Sequence, residues 1–346
     1  MGLTNLVRVT LVMTFIVILL GAYTRLADAG LGCPDWPGCY GHLTVPDEQH
    51  EIALAKSLYP DLTIEANKAW LEMIHRYFAG TLGLLIFAIS AKAFKHDEVS
   101  NVLPIALSVV VIFQALLGMW TVTMKLMPIV VMGHLLGGFT LFCLLALLYW
   151  QLSGKVTSKK EVLPPYLKGI KWLASITLCL AIIQIALGGW TSSNYAALMC
   201  KDLPICEGNW QEYLDFDGAF TLIQPEQQSY EFGTLDYGAR MTIHVTHRFG
   251  AMLLTLVSLC LIVSLLLTKI SSLKWTALRL CCLLTFQIGL GITNVLYSLP
   301  MVIAVAHNLV AVLLLVSILH ANVQLWRKEV VDDLTISNLI GKEREL

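Results

Sequence analysis

The sequence carries little charge, and it lacks the motifs by which proteins bind nucleotides or nucleic acids. Only 14% of its 346 residues are charged and the formal net charge is −1, whereas a typical soluble domain has about 25% charged residues. It contains no basic stripe and no glycine-rich phosphate loop. These absences exclude a nucleic-acid partner and argue against a soluble nucleotide-binding enzyme.

Apolar residues in long runs are what the sequence has in abundance. Hydrophobic residues make up 57% of the chain, and eight runs can cross the bilayer core, which takes about 20 helical residues. The chain is therefore predicted to be an all-α integral membrane protein with eight transmembrane helices. The predicted helices cover residues 9–23, 71–94, 102–122, 129–151, 168–190, 240–267, 275–295 and 300–326.

Lysine and arginine residues predict the orientation in the inner membrane. They concentrate at residues 92–95, 155–171 and 269–279 and in the tail, whereas the long loops 25–70 and 191–239 contain few lysines. Positive residues favour the cytoplasmic side. Both termini are therefore predicted to be cytoplasmic, and both long loops are predicted to face outward.

Cysteine placement agrees with this orientation. The first long loop contains "CPDWPGC" and the second contains "CKDLPIC", each with five residues between its cysteines. Because the outer compartment is oxidising, the pairs Cys33–Cys39 and Cys200–Cys206 are predicted to form disulfides. The other cysteines lie within apolar helices and are predicted to be small buried hydrophobic residues. They are Cys143, Cys179, Cys260, Cys281 and Cys282.

The chain contains an internal repeat. Residues of the first half match residues of the second at an offset of 167 in the loop, then 172 ("HRYFAG" with "HRFGAM") and then 173 ("FQALLG" with "FQIGLG"). The matched pairs include Cys33 with Cys200, Cys39 with Cys206, His75 with His247, and His134 with His307.

The repeat predicts a parallel duplication of a four-helix bundle. We expect one bundle in residues 1–155, a second in residues 156–330 and a cytoplasmic tail in residues 331–346. The first 30 residues also resemble a secretory signal. The repeat gives this segment an internal counterpart, which argues against its cleavage.

Each half offers two histidines on different helices at similar depth, His75 and His134 in one and His247 and His307 in the other. A single membrane histidine is usually a packed or hydrogen-bonded group, but a duplicated pair indicates a ligand. Zinc favours four protein ligands, often with thiolates, and no cysteine lies at this level. Haem needs only one or two axial ligands from the protein, so the sequence predicts two bis-histidine haem sites near the outer face.

Small residues beside two of these histidines would let a flat macrocycle approach the backbone. They are Gly80, Gly83, Gly133, Gly137 and Gly138. An arginine follows one histidine of each pair, at Arg76 and Arg248. Either arginine is a candidate contact for an anionic haem propionate, with snorkelling to the interface as the alternative.

The two halves differ at one charged position. Glu72 lies three residues before His75, and the equivalent residue before His247 is His244. One interpretation of Glu72 is an ion pair with Arg76, four residues later on the helix. The other is a carboxylate at the edge of a bound haem, where it takes a proton or stabilises developing positive charge.

These motifs together resemble the haem A synthase family, in its bacterial form with loop cysteines. The resemblance is specific in "GLGCPDWPGC" and in the E-x-x-H-R turn at Glu72–Arg76, and it extends over nearly the whole chain. It implies an oxidoreductase that converts the C8 methyl of haem O to the formyl of haem A, for terminal oxidases, by successive hydroxylations. A haem O synthase is the implied supplier of substrate.

The resemblance also implies the residue roles. His75 and His134 match ligands of the substrate haem, His247 and His307 match ligands of a haem b cofactor, and Glu72 matches a catalytic acid. The loop cysteine pairs match disulfides. The electron acceptor and a homo-oligomeric assembly are left open.

A different function uses the same four histidines. A di-haem membrane cytochrome would exchange electrons with quinone and do no chemistry on haem. Such a carrier usually places its haems toward opposite faces, whereas all four histidines here are predicted to lie outward. It would also have no need of Glu72.

Overall fold

A computed structural model describes residues 2–95, 100–154, 167–204, 206, 208–268 and 270–326. Eight of its helices are long and apolar enough to cross a membrane, which confirms the all-α membrane prediction. They are α1 (Leu3–Leu26), α3 (Ala66–Ala93), α4 (Val102–Thr123), α5 (Pro128–Leu152), α6 (Leu167–Ser193), α8 (Tyr237–Leu266), α9 (Ser271–Leu296) and α10 (Met301–Leu325).

Two shorter helices lie in the long connections. Helix α2 (Gln49–Leu58) begins with a reciprocal capping box between Glu48 and Glu51, which satisfies backbone N–H groups at its start. Helix α7 (Phe216–Ala219) begins at Asp215, whose side chain accepts a hydrogen bond from Gly218 N. Hydropathy did not predict either helix, because neither contains an apolar run.

The helices of each half pack in a closed ring of four. In the first half α1 contacts α3, α3 contacts α4, α4 contacts α5, and α5 returns to α1. Helices α6, α8, α9 and α10 repeat this order. The halves meet where α5 contacts α6 and where α1 contacts α10, while α5 also contacts α10. These contacts are equivalent under the repeat, so the halves are related by an approximate two-fold axis parallel to the helices. The boundary at 155–156 and the tail 331–346 lie outside the described residues.

The repeat extends to backbone conformation. Lys125 and Leu126 have positive φ in the turn between α4 and α5, and so do Ser298 and Leu299 between α9 and α10. Each of these residues lies 173 positions from its counterpart. A left-handed conformation is uncommon for residues other than glycine, so its recurrence at equivalent positions indicates the same tight turn in both halves.

The outer faces of the bundles are apolar, as expected where helices contact lipid. Leu84, Val109, Leu256 and Phe286 are among the exposed large hydrophobic residues. The prediction that the five helical cysteines are buried was wrong for four of them. Cys143 is half-buried, but the others lie on the exposed faces: Cys179, Cys260, Cys281 and Cys282. Lipid tails accept a weakly polar thiol as readily as a protein core does, so an apolar run does not determine which way a cysteine faces.

The two long connections lie over the same end of the bundle, which we call the loop end. Disulfides join Cys33 to Cys39 and Cys200 to Cys206. The second connection also covers part of the first half, because Tyr230 N donates a 3.0 Å hydrogen bond to Lys125 O in the α4–α5 turn.

Candidate functional site

The four candidate ligands all lie in the half of the helices nearest the loop end. His75 follows the start of α3 at Ala66 by nine residues, and His134 follows the start of α5 at Pro128 by six. At 1.5 Å per residue these are depths of about 14 Å and about 9 Å. His247 in α8 and His307 in α10 lie at matching positions in the second half.

The first pair of histidines meets face to edge. The ring centroids of His75 and His134 lie 6.5 Å apart, with the ring planes at 84°. The Nδ1 atom of each is buried and has no hydrogen-bond partner among the described residues. Buried polar groups are normally hydrogen-bonded, so these two rings have the character of groups arranged for a ligand.

A glycine on a neighbouring helix lies against each of the four rings. In every case an added Cβ would lie in contact with the ring, so the absence of a side chain lets the helices approach. The pairs, with the distance from that Cβ to Cε1 of the ring, are Gly21 with His75 (2.9 Å), Gly118 with His134 (3.5 Å), Gly188 with His247 (3.2 Å) and Gly291 with His307 (3.2 Å).

The glycines chosen from the sequence are different ones, and their role in letting a flat macrocycle approach the backbone stays a prediction. Gly80 has no atom within 4 Å of an added Cβ, and Gly137 is covered by the side chain of Gln114. Gly83 and Gly133 face side chains of neighbouring helices, Val111 and Leu117. The glycines that lie against the rings, the seat glycines, are on the helix packed against each histidine, not on the histidine's own helix.

The first pair fits a haem iron. An iron atom bonded at about 2 Å to two imidazole nitrogens on opposite sides holds the ring centroids about 6.3 Å apart. The observed separation of 6.5 Å is close to this value. Two imidazoles with no thiolate fit haem better than zinc.

Glutamines contact the histidines of the second half. Gln184 Nε2 lies 2.9 Å from His247 Nδ1 and 2.9 Å from His247 O. Gln287 Nε2 lies 3.2 Å from His307 Nε2. In the first half Gln114 is the equivalent of Gln287, and its Nε2 is buried without a hydrogen-bond partner in the part of the chain that the structure describes.

Glu72 is buried beneath the first disulfide loop. Its Oε2 accepts a 2.9 Å hydrogen bond from Cys33 N, and its Oε1 forms an ion pair with Arg76, as one interpretation of the sequence expected. A buried carboxylate is stable only where such partners replace water. The loop and the arginine together therefore fix the carboxylate on the helix face that also bears His75.

Arg76 binds the first loop as well as Glu72. Its guanidinium group donates to the backbone carbonyls of Asp35, Pro37 and Gly38. Arg248 binds the second loop in the same way, through the carbonyls of Cys200 and Asp202. The structure thus gives both arginines a loop-holding role that the sequence did not predict. Their contact with haem propionates stays a prediction.

His244 takes the place of Glu72 in the second half. It is buried, and its Nδ1 lies 2.9 Å from Ala196 O in the second loop. A carboxylate would repel that carbonyl, whereas an imidazole N–H can donate to it. The second site therefore contains no carboxylate at the position of Glu72.

A polar network joins the two halves at the loop end. Tyr195 OH accepts a 2.7 Å hydrogen bond from Arg25 and donates a 2.8 Å hydrogen bond to Asp28. Arg25 also donates to Ser192 O. At the offset of 167, Asp28 is the equivalent of Tyr195 and Arg25 is the equivalent of Ser192. The network therefore crosses the two-fold axis between the candidate sites.

The family is decided by comparison with known proteins. A family model named COX15-CtaA, described as a cytochrome oxidase assembly protein, matches residues 4–319. The chain belongs to this family. The haem A synthase of Shewanella oneidensis is 53% identical over 95% of this chain and 98% of its own length.

Other relatives are more distant but similar over nearly as much of the chain. The haem A synthase of Rickettsia prowazekii is 25% identical over 90% of this chain and 95% of its own length. The haem A synthase of Halalkalibacterium halodurans is 26% identical over 91% of this chain and 94% of its own length. The resemblance recognised from the sequence motifs is thereby confirmed.

Sequence reasoning missed several residues of this COX15-CtaA site. The seat glycines and the pair Gln114 and Gln287 lie in matched repeat segments, so conservation between the halves could have identified them. Gln184 has no such signal, because its equivalent in the first half is Val17. Only the packing of α6 against α8 brings it to a histidine.

Proposed function

We propose that this chain, a haem A synthase, oxidises the C8 methyl group of haem O to a formyl group by successive hydroxylations. One observation carries the proposal: a duplicated histidine site is combined with a buried carboxylate in one half, Glu72, whose equivalent in the other half is His244. Membership of the COX15-CtaA family and 53% identity to a haem A synthase support the substrate.

The residues of each half have separate roles. His75 and His134 bind the iron of the substrate, which places one edge of haem O near the start of α3. The fit of their 6.5 Å ring separation supports this role. A haem b bound by His247 and His307 supplies a one-electron carrier for oxidation. Because His244 replaces the carboxylate, the second half has no acid at this position and serves electron transfer.

Glu72 acts on water at the methyl edge. Each hydroxylation of the methyl group consumes one water molecule and releases two electrons and two protons, and the carboxylate accepts a proton from that water. The electrons would leave one at a time through the haem of the second half to a membrane electron acceptor outside the chain. Two hydroxylations give a hydrated aldehyde, which loses water to form the formyl group. The Cys33 N–H and the Arg76 guanidinium favour the ionised carboxylate against the cost of its burial. The loop and the arginine thus offset part of that cost and hold the carboxylate in position.

The loop end faces the outer side of the bacterial inner membrane in this proposal, with both termini in the cytoplasm. The positive residues at the opposite helix ends support this orientation, as do the two disulfides. The substrate carries a long apolar tail, so a membrane-bound haem O synthase is the expected donor.

Glu72→Gln tests the proposal directly. Glutamine keeps the size of the side chain but cannot accept the proton, so the cells should accumulate haem O in place of haem A. The pigments are extracted and separated by chromatography. The matched control is His244→Gln at the equivalent position of the second half, which should leave haem A formation in place. Unchanged haem A in Glu72→Gln would remove the catalytic role of this residue.

The same chromatography separates this function from that of a quinone-linked di-haem cytochrome. Haem O or haem A bound with haem b in the purified protein supports the synthase. Haem b alone in both sites supports the electron carrier.

A further inference from the structure

The two histidine sites differ in the support given to one ring. In the second half, Gln184 lies at hydrogen-bonding distance from His247 Nδ1 and also from the carbonyl of the same residue. In the first half, no side chain among the described residues bonds to Nδ1 of His75, and the polar group of Val17 near this ring is its main chain. The ring of His247 is therefore held by a side chain, whereas the ring of His75 is not.

The space for Gln184 is built into the second half alone. An added Cβ at Gly250 would lie 2.2 Å from Oε1 of Gln184, so a side chain at this position would displace the amide from its observed place. The equivalents in the first half are Val17 for Gln184 and Phe78 for Gly250. Neither Gln184 nor Gly250 is therefore repeated in the first half. The glycines packed against His75 and His247, Gly21 and Gly188, are present in both halves.

The amide can serve a metal-bound histidine. When Nε2 of His247 binds iron, the proton of the neutral ring lies on Nδ1 and needs an acceptor. Gln184 Oε1 is buried and has no partner among the described residues. Rotation about the last side-chain bond exchanges Oε1 with Nε2 and brings this acceptor to Nδ1–H. The amide then gives up its donor bond to the carbonyl of His247 and turns away from that oxygen, because two acceptors repel. Partners of this kind fix the orientation of a ligating ring and raise its basicity.

We propose that Gln184 is a positioning residue that retains a resident haem in the second half, and that Val17 at the equivalent position leaves the first half exchangeable. This inference rests on the proposed function, in which the first half must take up haem O and release haem A, whereas the second keeps its haem b. In this proposal the second bundle keeps its haem and the first exchanges its haem, because only the second has a glutamine that contacts Nδ1 of the ligating histidine.

Haem transfer to apomyoglobin tests the proposal. The purified full-length protein is mixed with excess apomyoglobin, and the haems that leave are identified by chromatography over time. The second site should release its haem more slowly than the first. In Gln184→Val the release from the second site should become about 10–100-fold faster, and its midpoint potential should rise because the ligand is less basic. Release from the first site should not change.

Two further variants separate the acceptor from general packing. Gln184→Glu keeps an acceptor oxygen and should retain haem as the wild type does. The double variant Val17→Gln with Phe78→Gly installs the amide and its space in the first half, and it should slow release from that site. If Gln184→Val does not accumulate in membranes, the double variant decides, because it changes only the other bundle.

An unchanged release rate and midpoint potential in Gln184→Val would overturn the proposal. Haem release from the second site as fast in Gln184→Glu as in Gln184→Val would also overturn it. A failure of the proposed function is recognised separately, as haem b in both sites. The sites are then assigned by His134→Ala and His307→Ala, and the release rates decide on Gln184 as before.

Discussion

The backbone N–H of Cys33 donates a 2.9 Å hydrogen bond to the carboxylate of Glu72. A cysteine of the first disulfide therefore binds the acid that distinguishes the two halves of the chain. The contact joins residues 39 positions apart in the sequence, and it makes the conformation of the first loop part of the candidate active site.

Cys33→Ser with Cys39→Ser should lower stability but leave turnover per folded molecule intact. The bond to Glu72 comes from the main chain, and serine keeps that N–H. Loss of a disulfide that closes so short a loop costs about 2 kcal/mol in the chain-entropy model. The melting temperature and the haem A formed per folded molecule measure both effects. Cys200→Ser with Cys206→Ser is the control. Loss of turnover in a normally folded first variant would instead indicate a redox relay.

Arg76→Gln should lower both stability and haem A formation. The variant removes the donors to three loop carbonyls and to Glu72, and charged hydrogen bonds contribute about 1.5–3 kcal/mol each. Arg248→Gln is the matched control, because Arg248 binds the second loop in the same way but, among the described residues, forms no ion pair within 4.0 Å like that of Arg76 with Glu72. The melting temperature should fall in both variants, and pigment analysis should show less haem A only in Arg76→Gln. Equal losses of haem A would contradict the link to Glu72.

Gly21→Ala should reduce haem binding in the first half. Its Cβ would lie 2.9 Å from the ring of His75, which is closer than a carbon contact allows, so the ring must move. Gly80→Ala on the same helix as His75 is the control, since an added Cβ there meets nothing within 4 Å. Alanine should stabilise that helix by up to about 1 kcal/mol. Visible absorbance and haem extraction report the occupancy, and normal occupancy in Gly21→Ala would refute the seat.

Tyr195→Phe should lower the free energy of unfolding by about 1–2 kcal/mol. The variant lacks the hydroxyl that bonds to both Arg25 and Asp28 in the polar network between the halves. Burial raises the pKa of Tyr195 above its ordinary value of 10.0. The folded state therefore holds this proton more tightly than the unfolded state, and the stability it contributes is complete below pH 10 and falls above it. Melting curves between pH 7 and 11 measure the effect. Above pH 10 the melting temperature of the variant should fall less steeply with pH than that of the wild type. Parallel curves would contradict the assignment of this pH dependence to Tyr195.

The transmembrane helices could be predicted because lipid contact imposes a local rule. Twenty apolar residues in a row identify a span wherever the neighbouring helices lie, and all eight spans form helices. The ends were less accurate. Helix α3 begins at Ala66 rather than at residue 71, because the helix continues through a polar turn that hydropathy does not detect.

The candidate ligands could be predicted because the chain contains its own comparison. His75 with His247 and His134 with His307 recur at constant offsets, and a duplicated ionisable residue in a membrane is seldom a packing accident. The same comparison identified Glu72 as the difference between the halves. It could not assign Gln184, whose equivalent is a valine.

The sequence by itself determined the spans, the duplication, the disulfide pairs, the four histidines and the family, because each depends on local composition or on the spacing of like residues. Only the tertiary structure decided that Gly21 packs against His75 and that Arg76 binds the first loop. It also decided that Gln184 contacts His247 and that four helical cysteines lie on exposed helix faces. These facts depend on how each helix is rotated about its axis and which helix it packs against. That rotation is set by contacts among residues far apart in the chain.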